Sequence, residues 1–408
     1  MRLWSWKRLN CIALLSSRGV AFEVPKMSFS LSEKRPSVAI VGCGVIGSSL
    51  AYYLAKDHGI GATVVDREGV AAAASGRAGG FLARDWNDGS GTEKLTHSSF
   101  DLHADLGRDL RGTDYRRLRC EAVAIEARGK PSNKKLETIE WPDASRVAGH
   151  RSLGKEDTIA QVHPYKLCHA LMDAAKEMAG TTFLEATVKN LLFDDGNKKT
   201  EGLRLISDSD EERILRADVV VVTMGPWTHV CGLSDSQRQC DLKGWGLELP
   251  SIVGTKYHAV LLQSPEVLST AVFFQGLGDP EVYPRPDGEV YVTGFPDAPR
   301  VVDDLPGQTE VLDSVCNRLR STIESLAPGL RGAPVNKQQA CHLPSAPDGL
   351  PLIGPVPGRD GAFVATGHGC WGVLLAPATG KALAELIVHG KSSTVNLAPF
   401  HPSRFLRR

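Results

Sequence analysis

Charge of one sign is what this chain lacks: Lys plus Arg and Asp plus Glu both number 47. No net basic field is available to neutralise a phosphate backbone, so composition argues against a nucleic-acid partner. Paired cysteines are missing as well. The nine (Cys11, Cys43, Cys120, Cys168, Cys231, Cys240, Cys316, Cys341 and Cys370) are scattered, without Cys-x-x-Cys spacing, which reads as a reduced compartment and no structural zinc. Long apolar runs are also absent. Val38 to Ala55, the best candidate, is broken by three glycines and two serines, short of the roughly 18 uninterrupted residues that a membrane span needs, so no transmembrane segment is expected. What remains, 42% hydrophobic and 23% charged residues with 41 glycines over 408 positions, is a globular composition with room for one large domain or two interleaved ones.

Residues 1–35 stand apart. In the first 26, Arg2, Lys7, Arg8 and Arg18 face a single acid, Glu23, among serines and a short apolar patch. This suits an organelle transit segment, giving a mitochondrial or plastid location. It suits equally a dispensable extension ahead of Met27, giving a cytoplasmic one.

From Ser37 the pattern changes. Val38-Ala39-Ile40-Val41 is an apolar run of strand length, Gly42-Cys43-Gly44-Val45-Ile46-Gly47 follows, and Ser48 to Lys56 has apolar residues at helical spacing. The helix should stop at Gly59, and a second strand, Ala62 to Val65, ends at Asp66. Strand, glycine turn, helix and strand make a βαβ unit of about 30 residues. Each glycine has its own reason: a tight turn, close approach of backbone to a pyrophosphate, and close packing of helix on strand. The helix amino terminus then receives the phosphates. Asp66, about 20 residues on, is placed to accept hydrogen bonds from ribose hydroxyls, which favours FAD or NAD over NADP.

Further along, the stretch from Ala71 to Gly154 carries weak periodicity. Tyr165 to Met178 reads as an amphipathic helix and Thr181 to Val188 as a strand; a hairpin is expected around Asp208 to Glu212, and Ala217 to Val222 as a strand leading into Gly225-Pro226-Trp227. Between Lys256 and Gly294 the alternation is period two, as in an antiparallel sheet, and Thr309 to Ala327 is a helix. Near the end, Gly367-His368-Gly369-Cys370-Trp371-Gly372 repeats the glycine spacing between a strand and a helix. Too little chain follows to complete a second βαβ unit, so a contact with a flavin ring or ribityl chain is the better reading.

These blocks resemble the D-amino-acid oxidase superfamily of FAD-dependent oxidoreductases, over most of Ser37 to Lys391. The resemblance rests on Val38 to Gly47 with Asp66, Ala74 to Phe81, Ala217 to Trp227, Pro347-Asp348-Gly349-Leu350-Pro351-Leu352-Ile353-Gly354-Pro355, and Ala365 to Gly372. Ala78 to Ala83 and Gly367 to Gly372 are similar to blocks in fungal and plant members. It implies FAD as cofactor, with Gly42, Gly44, Val45, Ile46, Gly47, Asp66, Arg67, Ser75, Gly76, Gly79, Gly80, Val188, Gly225, Gly367, His368, Gly369, Trp371 and Gly372 as binding candidates. It further implies hydride transfer from an amine-bearing carbon to flavin N5, with oxygen as acceptor. A dedicated catalytic base is then not required.

One departure matters. Many members place an arginine before the proline that leads into Pro-Asp-Gly, whereas this chain has His342-Leu343-Pro344. Arg285 is the replacement candidate for a carboxylate clamp, or else a solvated turn residue; Tyr283, His258 and His342 are substrate-orienting or structural. Cys341 stands where sarcosine-oxidase-like members tether the flavin, or packs as a small hydrophobe.

The expected fold is α/β, a glutathione-reductase-like FAD domain (36–100, 155–245, 340–395) interleaved with a mostly antiparallel substrate domain (101–154, 246–339). The expected function is FAD-dependent oxidation of a small amine or (D-)amino acid; the alternatives are a flavin-binding regulatory or trafficking protein without turnover, and an NAD-dependent dehydrogenase.

Overall fold

The computed structural model describes residues 35–406 apart from 126–138, 140, 197, 208–209, 229–244, 246 and 248. All but the last residue of the amino-terminal extension therefore lies outside the described residues, as does part of the turn expected at Asp208 to Glu212. Besides a single helical turn at Ala74–Arg77, the helices used below are α1 (Val45–His58), α2 (Glu93–Asp109), α3 (Pro164–Ala179), α4 (Asp313–Leu326) and α5 (Gly372–His389).

Val38–Val41 is buried along its length and pairs in parallel with Val219–Val222 on one side and Ala62–Asp66 on the other. A strand covered on both faces has no polar side to alternate with, so its sequence is a continuous apolar run. The six-stranded sheet runs Leu352–Pro355, Ala362–Thr366, Val219–Val222, Val38–Val41, Ala62–Asp66, Thr182–Glu185. Only the first pair is antiparallel. α1, α2, α3 and α5 share a core with one face, and a small antiparallel sheet (Thr187–Phe193, Thr200–Ile206, Glu212–Arg216) covers the other. The strand expected over Thr181 to Val188 is thus two strands. The chain changes sheets at Ala186, whose amide donates to the Asp66 carbonyl, a switch that local alternation does not encode.

The second sheet has seven strands in the order Val335–Ser345, Val253–Gln263, Glu289–Gly294, Glu281–Pro284, Thr270–Gln275, Arg119–Ile125, Val147–Gly154. It is antiparallel except where Thr270–Gln275 meets Arg119–Ile125. α4 covers one face; the other turns toward the parallel-sheet unit. Both expected boundaries near 100 and 340 fall inside continuous elements, α2 and the strand Val335–Ser345.

α2 lies in the stretch of weak periodicity, and its packing explains the weakness. Its buried face mixes Leu95, Phe100 and Leu106 with Thr96, Ser99 and His103. Ser99 and His103 serve α5, which contains Pro377. Proline has no N–H, so the carbonyl four residues earlier loses its helical donor. That carbonyl, on Val373, accepts from His103 Nε2 at 2.9 Å, and the Ala378 amide donates to Ser99 Oγ at 3.0 Å.

Burial lowers the His103 pKa to about 4, against backbone hydrogen bonds that raise it. The unfolded chain therefore binds this proton first. Stability is full above the ordinary value near 6.5 and falls as pH drops toward 4, by about 3 kcal/mol for this group. His163 and His368, lowered to about 4 and about 3 by burial, add to the same slope. Urea midpoints measured from pH 7.5 to 4 should fall, and His103→Gln, which keeps a donor for Val373, should flatten the curve by about one proton's worth; an unchanged slope would count against this account.

The helix Gly369–His389 is long and apolar enough to cross a membrane by length and composition, but 72% of its most apolar stretch is buried inside the fold. It is a core helix, apolar on nearly all sides because α1 and α2 both pack on it.

Candidate active site

The carboxyl ends of the parallel strands open into one elongated cavity. Val41, Asp66, Thr223 and Thr366 line it from strand ends, with Gly42, Gly44, Val45 and Ile46 from the first turn and His368, Gly369, Cys370, Gly372 and Val373 from the start of α5. Ligands of open α/β sheets bind at this edge, where loops leave the strands in opposite directions.

The glycine turn divides its work as its spacing predicts. Gly42 has φ 105°, and a Cβ there would lie 2.7 Å from the Thr223 carbonyl oxygen. At Gly47 a Cβ would be 2.1 Å from the Gly42 carbonyl oxygen, so α1 can seat on its strand only without one. Gly44 faces Ser75, whose Oγ accepts the Val45 amide at 2.8 Å. α1 starts without a side-chain cap and without an acid in its first turn, so its positive end meets the cavity uncompensated.

Asp66 closes the other side of the turn. Its Oδ2 accepts the Cys43 amide at 2.8 Å and its Oδ1 the Glu68 amide at 3.0 Å. Burial raises its pKa, and the hydrogen bonds from Cys43 and Glu68 oppose this. A glycine-lined helix start with free positive potential, beside a carboxylate at the next strand end, fits the diphosphate and ribose of a dinucleotide. Val188 and Trp245 supply apolar wall, and His368, Gly369, Cys370, Gly372 and Val373 line the same cavity from the last glycine turn.

A family model described as FAD dependent oxidoreductase matches residues 37–386. The chain belongs to this family. A Schizosaccharomyces pombe relative, named only as an oxidoreductase, is 31% identical over 393 residues, covering 90% of this chain and 97% of its own. Glycine oxidase of Pseudomonas aeruginosa is 26% identical over 393 residues, covering 90% and 98%. The crystal structure of glycine oxidase from Geobacillus kaustophilus matches with a TM-score of 0.71 at 24% identity, over 91% and 99% of the two chains. FAD is accordingly the cofactor, and the protein is an oxidoreductase with the α/β flavin-domain architecture of this family.

Within the family's cavity, Gly42, Gly44, Val45, Ile46, Asp66, Arg67, Ser75, Val188, Gly225, His368, Gly369 and Gly372 all contribute lining. Gly47 and the next four candidates act through packing instead. Gly76 abuts the Ala71 carbonyl, Gly79 the rings of Tyr283 and Tyr291, Gly80 the Val162 carbonyl, and Gly367, at φ 77°, lies against Ala346. Trp371 meets Trp86 edge to face at 6.2 Å, next to the cavity rather than in its wall.

The substrate candidates are placed differently from expectation. Arg285 is 3% exposed, neither a solvated turn residue nor in the cavity wall; its guanidinium pairs with Glu289 and also meets His163 Nε2 at 3.1 Å. A guanidinium already matched by a buried carboxylate is not a free clamp. His258 Nε2 accepts the Leu312 amide at 3.1 Å, fixing the start of α4. His342 Nε2 meets Asp304 at 3.0 Å. Burial lowers the pKa of both histidines. Cys341 sits opposite Tyr257 on the neighbouring strand, and burial pushes its thiol up to about 11, against nearby Arg77, whereas a thioether link to flavin needs thiolate character.

Tyr283 lies in a cluster of aromatic residues that local sequence did not mark. Phe81, Trp86, Phe273 and Tyr283 have ring centroids 5.1–5.6 Å apart, forming a wall between the seven-stranded sheet and the Cys370–Trp371 turn. Glu281 stands on the same strand face as Tyr283 and accepts its hydroxyl hydrogen. Burial pushes the Glu281 carboxyl up to about 7, the Tyr283 hydrogen bond opposing and Asp279 adding to the rise. Glu281, Phe81, Trp86, Tyr257 and Trp371 nevertheless all keep some accessible surface, as groups facing an internal space do. An acid breaking the apolar alternation of Val282, Tyr283 and Tyr291 was the available signal.

Proposed function

We propose that the protein oxidises a small amine or amino acid at FAD, with oxygen as the acceptor. The observation that carries this is the junction of the dinucleotide cavity, at Cys370, with the aromatic wall of Phe81, Trp86, Phe273 and Tyr283. Bound FAD supplies the two-electron acceptor. Gly42, Gly44, Asp66 and Ser75 would hold its dinucleotide half, and His368, Gly369 and Gly372 its ring end. The aromatic wall excludes water and orients the substrate carbon. That carbon's C–H bond breaks with its electron pair leaving as hydride, the nitrogen lone pair forms a C=N bond, and water then releases a carbonyl compound and the amine or ammonia. Oxygen takes up the two electrons with two protons to give hydrogen peroxide. Relatives named glycine oxidase support oxidation of an amino acid within this reading.

The absence of a free arginine on the described wall favours a second reading, flavin binding without turnover. Anaerobic mixing separates the two: bleaching of the visible flavin band by at least one amine or amino acid, with peroxide formed on re-admitting air, is the expected result. A yellow protein that dithionite bleaches and no member of the panel does would establish the second reading.

A further inference from the structure

The strand Glu281–Pro284 sends alternate side chains to opposite faces. Val282 enters the α4 core, while Tyr283 joins the aromatic wall, and Glu281 shares its side. Glu281 is paired across the sheet with Thr293 and with Phe273. Tyr283, whose hydroxyl hydrogen it accepts, shares a side-chain cluster with Trp371, and the residues on either side of Trp371, Cys370 and Gly372, line the flavin cavity. The carboxyl therefore stands on the sheet face that packs toward that turn.

Nothing described around it supplies a counter-charge. The charged residue acting on Glu281 is another acid, Asp279. Three arginines near this sheet are committed elsewhere: Arg285 to Glu289, Arg116 to the Pro284 and Leu268 carbonyls, and Arg77 to the Ala340 and Gly307 carbonyls. Where a carboxylate-binding arginine is expected, Leu343 stands. A desolvated acid without a cation is costly, and costs less when a ligand brings the cation. The faces of Phe81, Trp86 and Phe273 favour the same charge, since aromatic quadrupoles attract ammonium groups.

We propose that Glu281 pairs with the substrate's ammonium group, and that the substrates are cationic amines carrying no carboxylate beside the nitrogen. This rests on the oxidation reading above and narrows it. An amino acid would bring a second negative charge against Glu281 with no arginine to receive it, whereas an amine of the same skeleton completes an ion pair. Glu281 is a specificity residue in this account: it favours the ammonium form on entry, and the bound amine gives one N–H proton to solvent before the C–H bond breaks, which frees the lone pair that the redox step uses.

Matched pairs test it with the wild-type holoenzyme: pyrrolidine against D- and L-proline, and benzylamine against D- and L-phenylglycine. The amine of each pair is expected to bleach the flavin anaerobically with kcat/KM about 100-fold or more above either acid, the worth of one unpaired buried charge. Glu281→Gln, isosteric and able to keep the Tyr283 contact, should retain flavin and melting temperature, raise KM for the amine about 100-fold and change kcat much less. Bleaching by the amino acids in preference to the amines overturns this inference and leaves the oxidase reading intact. So does Glu281→Gln with unaltered KM. Bleaching by neither class, in protein that dithionite bleaches, overturns both.

Discussion

Protein carrying Gly47→Ala is expected to be recovered colourless and about 3 kcal/mol less stable than wild type. The added Cβ would sit 2.1 Å from the Gly42 carbonyl oxygen and 2.8 Å from Thr223 Oγ1. The nearer clash is with backbone that itself cannot move away, because Gly42 is packed on the Thr223 carbonyl and its amide donates to Val65. Relief requires α1 to lift from its strand, which withdraws the helix start from the cavity. Gly44→Ala is the comparison for stability alone, since it lies where backbone would approach the diphosphate and should lose flavin as well. Its Cβ would meet only Ser75 Oγ within 3 Å, at 2.9 Å, a side chain that can give where backbone cannot. Flavin content by absorbance and urea denaturation of both variants check the contrast; equal losses of stability would mean that the turn, and not the helix seat, is the sensitive element.

The second large effect lies at Gly380, in the middle of α5. An exposed helix-interior glycine replaced by alanine gains up to about 1 kcal/mol from helix propensity. At Gly380 the sign should reverse, to a loss of about 3 kcal/mol. A Cβ there would lie 2.6 Å from the Ser49 carbonyl carbon and 2.7 Å from the Leu50 amide nitrogen, so the two helices touch backbone to backbone. α1 is the helix that presents its start to the flavin, and spreading it from α5 should weaken flavin retention as well. Denaturant midpoints together with flavin occupancy after dialysis measure both consequences. A stabilised Gly380→Ala variant would show that the helix contact has slack.

How far the fold was legible follows from where its determinants lie. The strand, turn, helix and second strand from Val38 to Asp66 are contiguous, so the unit reads locally, although the turn glycines also meet Thr223 and Ser75 from outside it. The long antiparallel strands also announce themselves by alternation. α2 did not, because Ser99 and His103 occupy its buried face to serve a proline-interrupted helix 279 and 270 residues away in sequence. The same limit applies to the substrate candidates. Arg285 reads as an available cation beside a turn, yet Glu289, four residues on, folds back to neutralise it. His258 reads as a polar group in a substrate sheet, yet it points through to the α4 face and holds Leu312.

By itself the sequence determined the flavin cradle, since a phosphate-binding turn needs absent side chains and a helix start, and both are properties of adjacent residues. Tertiary structure alone decided what stands beside the Cys370–Trp371 turn. Phe81, Trp86, Phe273, Glu281 and Trp371 come from separated segments, and strand alternation says only that Glu281 and Tyr283 share a side. Whether that side meets water, core or cofactor depends on how two sheets pack, which no local pattern carries.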